Sequence, residues 1–553
     1  MSQAFGIKTS FFLVVFVTIY LLTSRWQLHD SWPTLRLFLQ VISAWAFSTI
    51  TWATVLRPKF FSPLLRLPGP TDGAFFHGQL WNILQDTPGA PMERWINEIP
   101  NDGLIRFTIA FNAERLLLTS PVVLSEVMVK NVEDWEKPKH LRESLAIVLG
   151  NSLVVAEGDE HRVQRKNMLP AFSYRHIKEA YPIFWKKSCE FVEAIGDQIT
   201  KESSKPGAHL DGVPISFPDF LRRVTLDNIG EAGFGYRFNA ITEPESAVNK
   251  TYESLFNTSE TGVVLTFLET LENILPVPWL QRLPIEHNRQ THAAILYIRH
   301  IVKGLIDDKR KRTNETPDHI STDIMSVAVK SGLFTDDALV DQTMTFLAAG
   351  HETVSTAMSW ALVMLCKYPE MQQRLRDEIR AGIPSPYKHP SGASDTDVLA
   401  LPYLQAFCNE ILRFHPPVPI TRRAAVRDTI LGGHRIPKGT NVLLVPAAVN
   451  KSKELWGDDA LIFNPERWLG GDRASSGGAT SNYSNLTFLH GPRSCIGATF
   501  ARAEFACILA VCIGRVEISH LQSDNQKLKT FKGGITHRLQ DELRLKARIV
   551  DGW

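Results

Sequence analysis

The sequence predicts a mainly α-helical domain with a small β-rich region, preceded by an N-terminal membrane anchor. Three observations predict it. Helical periodicity dominates the middle of the chain, strand-like pieces are short and local, and two uncharged apolar stretches precede residue 57 while nothing later is so free of charge.

The first stretch, Thr9–Ser24, is uncharged for 16 residues, about 24 Å as a helix against the roughly 30 Å of a bilayer core. The second, Leu37–Leu56, runs 20 residues without charge, about 30 Å, and carries tryptophans suited to an interface. A cleavable signal would end in small residues, whereas Ser24-Arg25-Trp26 follows the first stretch, so residues 1–66 read as an uncleaved anchor region. Arg57, Lys59 and Arg66 follow it, and the positive-inside rule puts that side in the cytosol with residues 67–553. LLRLPGP (64–70) then stiffens the chain into an extended elbow, because its prolines forbid a helix.

Composition bounds the remainder. Lys plus Arg is 60 against 58 for Asp plus Glu, which leaves no electrostatic footprint for nucleic acid. Six cysteines, at 189, 366, 408, 495, 507 and 512, show no CxxC spacing, so neither a zinc ribbon nor a disulfide framework is indicated and a reducing compartment is expected. With no internal repeat and no long linker after residue 70, one large domain is the simplest organisation.

Thr335–Leu365 is the longest helical pattern: Thr335 or Asp336 can cap it, acids fill its first turn, and it is apolar on most sides, as a core helix is. Within it Ala349-Gly350-His351-Glu352-Thr353 breaks local rules, since glycine costs about 1 kcal/mol in a helix and Glu and Thr need partners. Thr353 can bond the Ala349 carbonyl, and Gly350 leaves room for a bulge, a water or a flat ligand; a core helix with one tolerated glycine is the plain alternative. HExxH metalloprotease chemistry fails, because position 355 is Ser355. Short strands are expected in LIRFTIA, RLLLTS and NVLLVPAA, and Gly470–Asn485 reads as a surface loop.

Glu410 and Arg413, spaced i to i+3 in an apolar helix that Pro416 and Pro417 terminate, form either a solvated pair or an inward pair needing further partners, for which Arg467 in Pro465-Glu466-Arg467-Trp468 is the candidate. Last comes FLHGPRSCIG (488–497), one cysteine between an arginine and a glycine at the entrance to an apolar helix.

Read together and in order, these segments resemble the cytochrome P-450 family of haem-thiolate monooxygenases. FxxGxRxCxG is matched by Phe488, Gly491, Arg493, Cys495 and Gly497; AGx[DE]T by Ala349, Gly350, Glu352 and Thr353; ExxR by Glu410 and Arg413; and PERF by Pro465 to Trp468, with Trp in place of the usual Phe. The anchor followed by LPGP resembles the microsomal type.

The resemblance implies a cytochrome P-450 fold over residues 67–553 and haem b as cofactor, with Cys495 as axial thiolate of the iron. A helix N-terminus behind Cys495 would keep its sulfur anionic, Phe488 would shield it, and Gly491 and Gly497 would let backbone approach the porphyrin. Arg493, His161, Arg165 and Arg423, the last with Arg422 beside it, look like partners of the propionates. Gly350 beside Ala349 would make space for dioxygen, while Thr353 and Glu352 organise water for proton delivery. The substrate walls would be the turn before Ala349, Pro417–Thr421 and Gly533–Thr536. Electrons would come from an NADPH-dependent flavoprotein reductase, with cytochrome b5 as a second donor, because the chain carries no flavin or dinucleotide fingerprint. Arg162 and Lys166 could steer such an acidic partner. The implied activity is insertion of one oxygen atom from dioxygen into a hydrophobic small molecule, in fungal terpenoid or polyketide biosynthesis, at the endoplasmic reticulum membrane. A reductase-independent isomerase or dehydratase and a non-catalytic haem-binding protein are the alternatives.

Overall fold

A computed structural model describes residues 33–553 apart from 206–211, 257–285, 316–322, 387–392, 472–474, 522–529, 531–534 and 540–542. The apolar stretch Thr9–Ser24 and the wall residue Gly533 lie outside the described residues.

Helix α1 (Pro33–Thr51) runs into wider π-type turns over Trp52–Phe61, which contain Pro58. Proline has no N–H to donate and its ring crowds the carbonyl four residues back. That carbonyl, on Thr54, accepts from Asn112 Nδ2 at 2.8 Å, and the Pro58 carbonyl accepts from Arg106 Nη2 at 2.8 Å. Asn112 reaches it from the left-handed region, at φ 55°, which asparagine tolerates better than most residues. The turns are thereby clamped onto the hairpin of β1 (Leu104–Ile109) and β2 (Ala113–Leu118). The elbow is a packed joint as well: Arg106 N–H donates to the Pro68 carbonyl at 2.7 Å, and a Cβ on Gly69 would lie 1.9 Å from the Arg106 oxygen.

The uncharged run Leu37–Leu56 is divided between α1 and these wider turns, and among the described residues no helix is long and apolar enough to cross a membrane. The expectation of a single spanning helix there is not met. Trp45, Phe47, Ile50, Phe60 and Phe61 nevertheless remain exposed.

The expected short strands form, joined by others. With β3 (Trp135–Glu136), β5 (Thr421–Ala425) and β8 (Asn441–Leu444), the hairpin makes a sheet of order β1-β2-β8-β5-β3, in which β2 and β8 run parallel. A second sheet joins β4 (Val213–Ser216), β10 (Arg544–Ile549) and β9 (Val516–His520), and a third pairs β6 (Thr429–Leu431) with β7 (His434–Ile436).

Helices make up the larger part. Those that position the site are α2 (Gly158–Met168), α3 (Tyr174–Ser203), α4 (Phe217–Asn228), α5 (Ala247–Phe256), α6 (Asp336–Lys367), α7 (Pro402–Phe414) and α8 (Ala498–Arg515). Helix α6 starts as its sequence predicts: Thr335 Oγ1 accepts the Ala338 N–H at 3.3 Å, and Asp336 and Asp337 meet the positive end of the dipole. It runs through AGHET without a bulge and packs against α4 and α8. Met358, Ala361, Leu362 and Leu365 are fully buried. Each large apolar side chain so placed contributes about 1.5–3 kcal/mol, which outweighs one interior glycine.

Candidate active site

The cysteine loop is closed by its own backbone. Cys495 N–H donates to the Phe488 carbonyl at 2.8 Å and Ser494 N–H to the Gly491 carbonyl at 3.1 Å, while Leu489 turns the chain at φ 55°. Arg165 of α2 clamps it from outside, with Nη1 on the Ser494 carbonyl at 2.7 Å and Nη2 on Ser494 Oγ at 3.1 Å. Arg165 thus braces the cysteine loop from α2. Gly491 is required by its φ of 72° and by the Met128 carbonyl, 2.3 Å from where a Cβ would lie. On this side the loop backbone packs directly on Met128 and Val129. Gly497 would meet only Phe172, at 3.8 Å, and Phe488 lies under the Arg502 guanidinium at 4.9 Å.

Cys495 is accessible, yet protein surrounds it closely enough that burial dominates its ionisation and pushes the thiol up; the Gly497 N–H and the Arg165 guanidinium pull the other way. The helix start reaches the sulfur through Gly497, the cap of α8, which begins at Ala498.

Helix α6 carries a matching window. Its residues are buried over 342–347 and again from Val354, but Ala349 is exposed and Glu352 and Thr353 are half-buried on the same side. Thr353 Oγ1 donates to the Ala349 carbonyl at 2.9 Å, as the i to i−4 spacing predicts. Phe172 joins window and loop, touching Gly497 and stacking edge-on against Phe346 at 5.2 Å. At Gly350 a Cβ would lie 2.8 Å from Ile229, so its small size admits a neighbouring helix end. His351 also turns away, buried against the Tyr252 hydroxyl of α5 at 3.0 Å, where burial pushes its imidazole down to about 3.

Between β3, β5 and α2 lies a buried cationic cluster. Arg493 Nη1 pairs with Glu157 Oε2 at 2.5 Å and donates to the Trp135 carbonyl at 2.7 Å, while Glu157 Oε1 accepts from the Lys137 N–H at 2.8 Å and faces Lys137 Nζ at 3.4 Å. Arg423 is buried beside them; alternation along β5 turns it inward, which decides between it and Arg422. Burial, Arg423 and Arg493 lower Lys137 to about 8, and burial with Lys137 and Arg493 lowers His161 to about 4. Three cations thus face one carboxylate. Excess like charge at a buried site calls for an anion, and two carboxylates on the edge of a flat group seated over Cys495 are what this chain's residues fit. Lys137 and Glu157 were invisible to motif reading, since neither sits in a matched pattern.

Behind the loop the second ionic group is saturated. Arg413 Nε and Nη2 hold Glu410 at 2.8 and 2.7 Å, both side chains fully buried, and the remaining guanidinium contacts are the Asn450, Ala460 and Ile462 carbonyls. Glu410 also accepts from the Asn464 N–H at 2.8 Å and the Trp468 indole at 2.9 Å, and lies 3.4 Å from Arg467 Nε. The inward reading of the pair is correct, with Arg467 as third member, and the tryptophan that replaces the usual phenylalanine supplies a further donor. Asn450, also missed in the sequence, carries the order forward: its Nδ2 meets the Arg413 carbonyl and Thr487 Oγ1, and its Oδ1 the Leu486 N–H, just before the loop. Arg162 pairs with Glu133 and Asp159 on the surface, and Lys166 is exposed.

The cytochrome P450 family profile matches residues 107–545. The chain is 41% identical over 518 residues to cytochrome P450 monooxygenase sphH of Aspergillus fumigatus, covering 93% of this chain and 94% of that protein. It is 37% identical to cytochrome P450 monooxygenase FUM15 of Gibberella moniliformis, covering 93% and 94%, and 34% identical to cytochrome P450 monooxygenase ALT8 of Alternaria alternata, covering 91% and 92%. An accessible cysteine in its signature loop, a cation-rich wall beside it and a match over most of the chain lead to one conclusion: the protein belongs to the cytochrome P450 family and is a haem-thiolate monooxygenase.

Proposed function

We propose that the protein inserts one oxygen atom into a hydrophobic small molecule of fungal secondary metabolism, a terpenoid or polyketide, while anchored on the cytosolic face of the endoplasmic reticulum. Electrons come from an NADPH-dependent flavoprotein reductase, with cytochrome b5 as a second donor. The observation that carries this reading is the window at Ala349, Glu352 and Thr353, set between the buried stretches 342–347 and 354–365 of the same helix. The fungal sources of its relatives support the metabolic setting. The exposed apolar residues of α1 and the turns after it, beside Arg57 and Lys59, support a membrane surface as neighbour.

Cys495 would hold the haem iron, and Lys137, His161, Arg423 and Arg493 its propionates. Bound haem supplies dioxygen activation and transfer of one oxygen atom to a C–H bond. The chain's own residues do the remainder. Thr353 and Glu352 present a hydroxyl and a carboxylate to the cleft, where they order water and pass a proton. Pro417 and the segment Ile535–His537 form adjoining walls, joined where His537 N–H donates to the Pro417 carbonyl at 2.8 Å. Apolar walls exclude bulk water and hold an apolar substrate by shape.

The reduced carbon-monoxide difference spectrum should show the red-shifted thiolate band, lost in Cys495→Ser; an unshifted band in the wild type would defeat the assignment. Reconstitution with reductase should then couple NADPH consumption to hydroxylation of a metabolite that accumulates in a deletion strain. Product formed without reductase would favour the isomerase reading, and haem binding with no turnover the non-catalytic one.

A further inference from the structure

Glu352 is not free to turn in the cleft. Its Oε1 accepts a hydrogen bond from Thr536 Oγ1 at 2.6 Å, across 184 residues of sequence. Thr536 is itself buried. Its neighbours are fixed as well: His537 donates its N–H to the Pro417 carbonyl at 2.8 Å, and its own carbonyl accepts from the Trp360 indole, two turns along α6, at 2.8 Å. The His537 ring lies 4.9 Å from the Trp360 ring, whose other face stacks on His415 at 4.0 Å. A buried hydroxyl on an anchored segment thus points at one oxygen of a half-buried carboxyl, whose backbone is set by α6.

We propose that Thr536 is a positioning residue for proton delivery: it holds one oxygen of Glu352 and leaves the other to meet water beside Thr353. This rests on the reading of Glu352 and Thr353 as the proton-delivering pair. A hydroxyl donating to a carboxylate stabilises one rotamer of a side chain that otherwise has three torsions to explore. The Glu352 carboxylate takes a proton from water on its second oxygen and passes it toward the cleft, returning to the carboxylate, so Thr536 is neither consumed nor ionised. Because Thr536 follows directly on the wall residue Ile535, the same hydrogen bond ties the substrate wall to the proton path.

The test needs no identified substrate. Full-length enzyme, reconstituted with reductase and NADPH in air, partitions dioxygen between hydrogen peroxide, which takes up two electrons and two protons, and water, which takes up four of each, so poorer proton delivery favours peroxide. Peroxide formed per dioxygen consumed should rise about threefold in Thr536→Val, the effect of losing a bond that orients rather than transfers, and Thr536→Ser should restore the wild-type ratio. The thiolate carbon-monoxide band certifies that each variant is folded and loaded; should the valine variant fail that criterion, Thr536→Ala carries the same comparison. An unchanged ratio in the hydroxyl-free variant, with Glu352→Gln raising it, overturns this inference alone. An unchanged ratio in Glu352→Gln as well overturns the proton-delivery reading beneath it.

Discussion

Glu410 and Glu157 are both buried carboxylates held by arginine, and they differ in what surrounds them. Glu410 shares its two oxygens among Arg413, Trp468, the Asn464 N–H and the nearby Arg467, and the spare guanidinium hydrogens find carbonyls. Glu157 is similarly well used, but Lys137, Arg423 and Arg493 crowd one carboxylate, and burial and mutual repulsion lower both Lys137 and Arg423. A closed set of partners marks a structural joint, whereas surplus charge marks a place where an anionic ligand completes the electrostatics.

The comparison breaks most severely at the closed group. Arg413→Ala leaves a buried carboxylate short of its main partner and should cost about 3–5 kcal/mol, seen as loss of the carbon-monoxide-binding protein on expression. Arg423→Met should act oppositely on the two states: haem transfer to apomyoglobin should quicken about tenfold, as expected when a group supporting a bound cofactor is removed, while the haem-free protein melts no lower. A lower melting point would make Arg423 structural like Arg413. Trp468→Phe removes one donor from Glu410 but keeps the ring, and should lower stability by about 1.5 kcal/mol, measured by urea unfolding.

The smallest expected effect comes from a third buried acid, with no cation hydrogen-bonded to it. Glu504 of α8 is fully buried with Asn228 Nδ2 at 3.0 Å, and burial raises its carboxyl well above the ordinary value of 4.5, the Asn228 bond lowering it in part. The folded state keeps a proton that the unfolded chain releases above that value, so this group's contribution falls as pH rises. Glu504→Gln should remove that decline, read as a flatter dependence of the unfolding midpoint from mildly acidic to mildly alkaline pH.

Much of the site was legible because it is written in local spacing. Glu410 and Arg413 share a helix face by their i to i+3 separation, Thr353 reaches Ala349 one turn back, and Thr335 caps the helix that carries both. A glycine in a helix says that something comes close, and only the packed structure says that at Gly350 it is Ile229. A basic residue near a cysteine loop can serve the loop's carbonyl as well as a ligand's carboxylate, and only the structure sets Arg165 on Ser494.

The sequence by itself determined the chemistry: one cysteine in its loop, an acid and an alcohol one turn from a glycine, and an apolar helix to carry them. Those features are short-range, and backbone periodicity alone puts their members side by side. Tertiary structure decided which charges share a cavity. It brought Lys137 beside Arg493, chose Arg423 over Arg422 by the register of β5, and set Thr536 on Glu352. No local rule specifies such meetings, because each depends on how segments more than a hundred residues apart pack around one core.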